Sequence, residues 1–127
     1  THLMTGFGGT FADGLRSVGP EDVMVVFTQR PYASDTLQAV TFAHERGVRI
    51  VAISDSQVSP VAPLAEVNVV VANETPSLIP SVMPGFALTQ ALAALLVAES
   101  GSAALAEIAK AEEQLESFGV YADPSVN

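Results

Sequence analysis

Three short apolar runs punctuate the first half of the chain: residues 23–27 (Val-Met-Val-Val-Phe), 48–53 (Val-Arg-Ile-Val-Ala-Ile) and 67–72 (Val-Asn-Val-Val-Val-Ala). They are rich in Val and Ile, and two are nearly unbroken. Strands covered on both faces of a parallel sheet read this way. A weaker strand candidate is residues 2–5, ahead of Gly6, Gly8 and Gly9. Between the runs the spacing turns helical. In 10–18, Phe11, Leu15 and Val18 fall on one helical face, and Thr10 with Asp13 has the form of a capping box with Asp in place of Glu. Gly19-Pro20 stops that segment. In 34–46, Leu37, Val40 and Ala43 form the inner stripe, Ser34 or Asp35 suits the N-cap, and Gly47 suits the position just past the C-cap. The stretch 59–65 has room for one or two turns, with Ser59 as N-cap and Pro60 as first helical residue.

The second half changes character. Residues 73–84 contain three prolines and read as a loop, with Pro84 in the first turn of the helix that follows. Residues 86–98 are apolar nearly all round, which predicts burial on more than one side. Gly101 breaks this helix. A second one, 102–118, turns Leu105, Ile108, Ala111, Leu115 and Phe118 inward and Glu107, Glu112, Glu113 and Glu116 outward; Gly119 ends it. There is no internal repeat. Strands alternating with helices, followed by two helices, predict an α/β domain with a parallel sheet and, through right-handed crossovers, helices on both faces.

Composition narrows the function. The 127 residues suit one domain, and 49% hydrophobic content with 15% charge suits a folded one. Five Lys and Arg against 14 Asp and Glu leave a net charge of −9, which argues against a broad face for nucleic acid phosphates. With no cysteine there is no disulfide, thiol catalysis or cysteine zinc site. The two histidines, His2 and His44, argue against a histidine-rich metal centre or a Ser-His-Asp triad. No uninterrupted apolar run has the length of a membrane span, the longest being 91–98, and no signal stretch opens the chain. These features predict a soluble, cytoplasmic domain.

In open parallel sheets ligands sit at the carboxyl ends of the strands. The first loop there runs Thr28-Gln29-Arg30-Pro31-Tyr32-Ala33-Ser34-Asp35-Thr36 into a helix. Hydroxyls, an arginine and a helix N-terminus suit an anion such as phosphate; the same residues also read as helix capping, with Arg30 a solvated charge and Tyr32 packed on the loop. In the second loop, Ser54 to Pro60, the favoured reading has Asp55 accept hydrogen bonds from loop N–H groups; the alternative, functional reading makes Ser54 or Ser56 a ligand contact. The third offers Glu74, Ser77 and Ser81. Gly6, Gly8 and Gly9 do not have the G-x-G-x-x-G spacing of a dinucleotide loop. His44, beside Glu45 and Arg46, and the pair Glu112-Glu113 read as solvated helix faces.

Several of these segments, in order, resemble a known family. Asp22-Val-Met-Val-Val-Phe-Thr, then Tyr32, Asp35-Thr36-Leu37, and Val51-Ala-Ile-Ser-Asp-Ser-Gln-Val-Ser-Pro60 are similar to the SIS (sugar isomerase) domain, in particular that of RpiR-type bacterial transcription regulators. The resemblance covers nearly the whole chain and implies a flavodoxin-like three-layer α/β/α sandwich. It implies an effector domain, residues 1–127, that senses a phosphorylated sugar, forms a homodimer or higher oligomer, and reaches DNA only through a helix-turn-helix domain not in this chain. It also places the family's opening strand, Gly/Ser loop and helix ahead of Thr1. No cofactor, metal or membrane partner is implied.

The implied ligand-binding residues are Thr28, Arg30, Tyr32, Ser34, Asp35, Thr36, Ser54 and Ser56. The usual phosphate loop, Ser-x-Ser-Gly-x-Thr-x-Glu-Thr, keeps its first hydroxyl in Thr28, its acid in Asp35 and its last hydroxyl in Thr36, while Arg30, Pro31 and Ala33 replace Ser, Gly and Thr. Pro31 removes a backbone N–H, and Arg30 offers a charge-assisted bond instead. Two alternatives remain at this level. One is a sugar-phosphate isomerase with Glu74 as base. The other is a dimerisation domain whose ligand site has been lost.

Overall fold

The computed structural model describes residues 2–4, 11–76 and 79–119. Two compact units divide the chain, Thr1–Phe86 and Ala87–Asn127. The first holds a short helix α1 (Phe11–Gly14), strand β1 (Val23–Thr28), helix α2 (Ser34–Glu45), strand β2 (Arg49–Ser54), one turn of 3-10 helix (Ala62–Leu64) and strand β3 (Val67–Val70). A long helix α3 (Met83–Ser117) begins there and forms most of the second unit.

The three apolar runs are the three strands, all parallel, in the order β1-β2-β3. Val26 pairs with Ala52 and Thr28 with Ser54, so the carboxyl ends of β1 and β2 finish level. The weak candidate at 2–5 is not a strand over residues 2–4; Thr5 and the glycines Gly6, Gly8 and Gly9 lie outside the described residues.

The main core lies on one face of the sheet. Val26, Val40, Ile50, Ala52 and Val61 are buried together, and Met24, Leu37, Leu64 and Ala65 pack against them. Burying a side chain such as Ile50 stabilises the fold by roughly 1.5–3 kcal/mol. The stripe read on α2 is correct: Val40 and Ala43 are fully buried. Gly47, at φ 77°, closes α2, its N–H bonding to His44 O at 2.9 Å while the Val48 N–H bonds to Ala43 O at 3.1 Å. This double bond pattern is a Schellman motif, and it turns Val48 into a second small core with Leu15 and Ala43.

The structure corrects several expectations. α2 has Ala33 as N-cap, with no side-chain cap, instead of Ser34 or Asp35. Over the described residues the first helix covers Phe11–Gly14; beyond it, bonds from Arg16 N to Asp13 O and from Val18 N to Leu15 O make tighter turns. Thr10 lies outside the described residues, and the Asp13 carboxylate turns to Arg16 at 3.0 Å. β1 is not buried on both faces: Val23, Val25 and Phe27 stay about half exposed. Only near the carboxyl end is that second face tight, where Ile53 is buried beside Phe27 and a Cβ on Gly85 would meet the Phe27 ring at 3.2 Å.

In α3, Pro84 sits in the first turn as expected, and the Met83 N–H bonds to the Ser81 hydroxyl. Gly101, at φ 62° and ψ −148°, divides α3 into the two helices read from the sequence. Within the single chain their apolar side chains are largely uncovered. Leu95 and Leu96 are mostly exposed, as are Leu105 and Phe118, while Ile108 and Leu115 are 40% and 38% exposed. Among the described residues one helical stretch, Met83–Ser102, is long and apolar enough to cross a membrane by length and composition, a length the broken apolar runs did not suggest.

Candidate functional site

The loops that follow the three strands are tied to one another at the carboxyl end of the sheet. Asp55, directly after β2, is the centre of these ties. Its side chain is only 8% exposed. Oδ1 accepts the Tyr32 hydroxyl at 2.9 Å, and Oδ2 accepts the Arg30 backbone N–H at 3.3 Å. A carboxylate this buried needs filled acceptors, and the β1 loop fills both oxygens. The sequence reading of Asp55 as an acceptor for loop N–H groups is met here, and its bond to Tyr32 goes beyond it.

Behind Asp55 the β2 loop is pinned in turn. The Ser54 hydroxyl lies 2.9 Å from the Ser56 carbonyl and 2.8 Å from Asn68 Oδ1, on β3. Asn68 Nδ2 also donates to the Ser56 carbonyl at 3.3 Å. The Ser56 hydroxyl accepts the Val58 N–H at 3.2 Å. A further tie crosses from the third loop to the first, with Asn73 Nδ2 donating to Gln29 Oε1 at 3.3 Å.

The eight residues singled out in the sequence fall into three groups. Arg30 and Tyr32 meet on Asp55. The Arg30 guanidinium approaches Asp55 through Nε at 3.9 Å, too long for a hydrogen bond, and its side chain stays 66% exposed. The Tyr32 hydroxyl, and then the Asp55 carboxylate, raise the Arg30 pKa above its ordinary value. The Arg30-Pro31 peptide is cis. Ser34, Asp35 and Thr36 form the first turn of α2, with Ser34 and Asp35 exposed and Thr36 half-buried. Their backbone N–H groups precede the first intrahelical bond, Leu37 N to Ala33 O, and have no side-chain cap. Thr28, half-buried, and Ser54, 1% exposed, end β1 and β2 side by side. Ser54 and Ser56 are both engaged in holding the β2 loop.

Among the described residues, the other polar candidates make no side-chain hydrogen bond to this cluster. Glu74 is exposed in the third loop, Ser81 caps α3, and Ser77 lies outside the described residues. His44 is exposed in the last turn of α2. At 1.5 Å per residue that is roughly 15 Å from the helix N-terminus. Asn68, Asn73 and Gln29 were not singled out from the sequence. Asn68 breaks an otherwise apolar strand, a signal that was there to be used; Asn73 and Gln29 carry none.

Among the described residues the arrangement thus offers the Arg30 guanidinium, helix N–H groups without a side-chain cap, and hydroxyls at the end of a parallel sheet. The sequence pattern of the SIS domain matches residues 6–110. The chain belongs to the SIS domain family. Its fold is similar to the sugar isomerase domain of the RpiR transcription factor from Sphaerobacter thermophilus, at 30% identity and a TM-score of 0.81, covering 89% of this chain and 63% of that one. It is also similar to the Vibrio vulnificus NanR protein complexed with ManNAc-6P, at 17% identity and a TM-score of 0.76, covering 95% of this chain and 46% of that one. A hypothetical protein matches at 17% identity and a TM-score of 0.56, over 65% of this chain and 50% of its own. This SIS domain therefore spans less than two thirds of each of these chains. No curated protein matches the sequence.

Proposed function

We propose that this SIS domain is the effector-sensing module of a transcription regulator and takes a phosphorylated sugar at the carboxyl ends of β1 and β2. The observation that carries the reading is the exposed Arg30 guanidinium on the loop that leads into the uncapped N-terminus of α2. A phosphate group suits both: it accepts backbone N–H bonds at a helix N-terminus and charge-assisted bonds from Arg. Thr28, Tyr32, Ser34 and Thr36 supply polar groups around it; Asp35 supports the helix dipole; Ser54 and Ser56 hold the neighbouring loop in place. The similarity to a regulator's sugar isomerase domain supports the wider role. In that role the domain works as a homodimer or larger assembly, and a separate helix-turn-helix domain contacts DNA. The effector acts by favouring one of two arrangements of the assembly, and its differential affinity for the two sets the response.

The test is a thermal-shift panel of hexose and N-acetylhexosamine 6-phosphates, N-acetylmannosamine 6-phosphate among them, with the parent sugars and sulfate as controls. A ligand at about 100 times its Kd adds about 2.7 kcal/mol, a shift of several degrees for a domain of this size. The reading expects such a shift for at least one sugar phosphate and none for its parent sugar. Loss of the shift in Arg30→Ala supports the site. No shift across the panel favours a domain kept for assembly alone. Turnover of a sugar phosphate would favour an isomerase, for which Glu74 and His44 are not paired in the described structure.

A further inference from the structure

We propose that Asp55 is the positioning residue of this site: from the β2 loop its buried carboxylate clamps the Tyr32 side chain and the Arg30 backbone, and so holds Arg30 in its ligand-receiving place. The proposal rests on the phosphosugar reading for its functional half. The geometry for the clamp stands on its own. Both Asp55 oxygens are taken by the β1 loop, at 2.9 Å and 3.3 Å. Neither of those bonds uses the Arg30 guanidinium, whose nearest approach is 3.9 Å through Nε. The carboxylate therefore fixes where the arginine starts, while its charge-bearing end stays open to solvent and to an anion.

The clamp has a firm base. Asp55 lies between Ser54 and Ser56, and both are held to Asn68 on β3. A line of hydrogen bonds thus runs from β3 through the β2 loop to the β1 loop. Burial matters here, because a hydrogen bond to a charged group shielded from water is about twice as strong as a neutral one. Asp55 itself has little surface left with which to touch a ligand. Its effect on binding passes through Arg30 and Tyr32, and this separates it from a contact residue.

Two variants test the clamp in the 127-residue chain. Tyr32→Phe removes one bond and keeps the ring. Asp55→Asn keeps an acceptor for Tyr32 but turns an N–H donor toward the Arg30 N–H. Amide exchange by NMR, without ligand, reads the clamp directly: the Arg30 N–H should exchange about tenfold faster in Asp55→Asn. Unchanged exchange overturns the clamp. Calorimetry with N-acetylmannosamine 6-phosphate, or whichever sugar phosphate gives the largest shift in the panel, reads the positioning. Each variant should weaken binding about tenfold, and the double variant hardly more than either alone, because the two share one interaction. Inorganic phosphate, which needs less precise placement, should lose less. Unaltered sugar-phosphate affinity in both variants, with faster Arg30 exchange, overturns the positioning role. If the unmodified chain binds no sugar phosphate, the functional reading fails, the positioning role fails with it, and the exchange data still decide the clamp.

Discussion

On one face of the sheet Met24, Val26, Ile50 and Ala52 meet α2 and the 3-10 turn. On the other, Val23, Val25 and Val67 remain about half exposed. Both sets come from the same strands, and Val25 and Val26 are adjacent residues of the same type. The difference lies in what faces them. Leu37, Val40 and Ala43 form a stripe on α2 that seats on the first face, whereas within the first unit the second face meets Gly85, at the start of α3, through Phe27. An apolar run therefore marks a strand of a parallel α/β sheet, and the helical stripes decide which of its faces is filled.

Substitutions can break this contrast. The largest effect is expected from Ile50→Ala, in the centre of the filled face, at about 3 kcal/mol in urea unfolding. Val26→Ala should cost about 2 kcal/mol, from two lost methyl groups and a partial cavity. Gly47→Ala tests the turn that carries Val48 into the filled layer; with φ at 77° it should cost about 1 kcal/mol. Val25→Ala sharpens the comparison most, because it repeats the Val26 change one residue away. It should cost less than about 0.5 kcal/mol. A loss equal to that of Val26→Ala would mean that the second face is covered in solution. Arg30→Ala comes last for stability, with no measurable change in melting temperature, although it should abolish stabilisation by a sugar phosphate.

The same contrast separates the two parts of the site. The β1 loop and the first turn of α2 were legible from residue types: an arginine, hydroxyls and a helix start after a strand. Arg30, Ser34, Asp35 and Thr36 stand there in the structure, with the helix beginning from an uncapped Ala33. The supporting loop was less legible. Ser54 and Ser56 carry hydroxyls that read as ligand contacts; in the structure both hydroxyls also engage their own loop, and that of Ser54 reaches Asn68. A serine looks alike in both roles; that Ser54 is buried while Ser56 is half-buried is a property of packing. Asp55 was legible as an acceptor, while its partner Tyr32 lies 23 residues away, a pairing with no local signal.

In the second unit the apolar pattern of 86–98 correctly located a helix, and Gly101 its break. It also predicted burial, in the core or at a subunit interface; within the single chain Phe86, Leu95 and Leu96 are exposed. Helical periodicity needs only neighbours three and four residues apart, which the chain itself supplies. Burial needs a partner surface, which periodicity does not name.

By itself the sequence determined the parallel α/β class, the three strands, the stripe of α2, the glycine stops and the family. Each depends on local spacing or on backbone preference. Only the tertiary structure decided which face of the sheet is filled, that Ser54 is interior, and that Asp55 joins Tyr32 to the Arg30 amide. Those depend on contacts between residues distant in the chain, where geometry selects among partners that the sequence leaves equivalent.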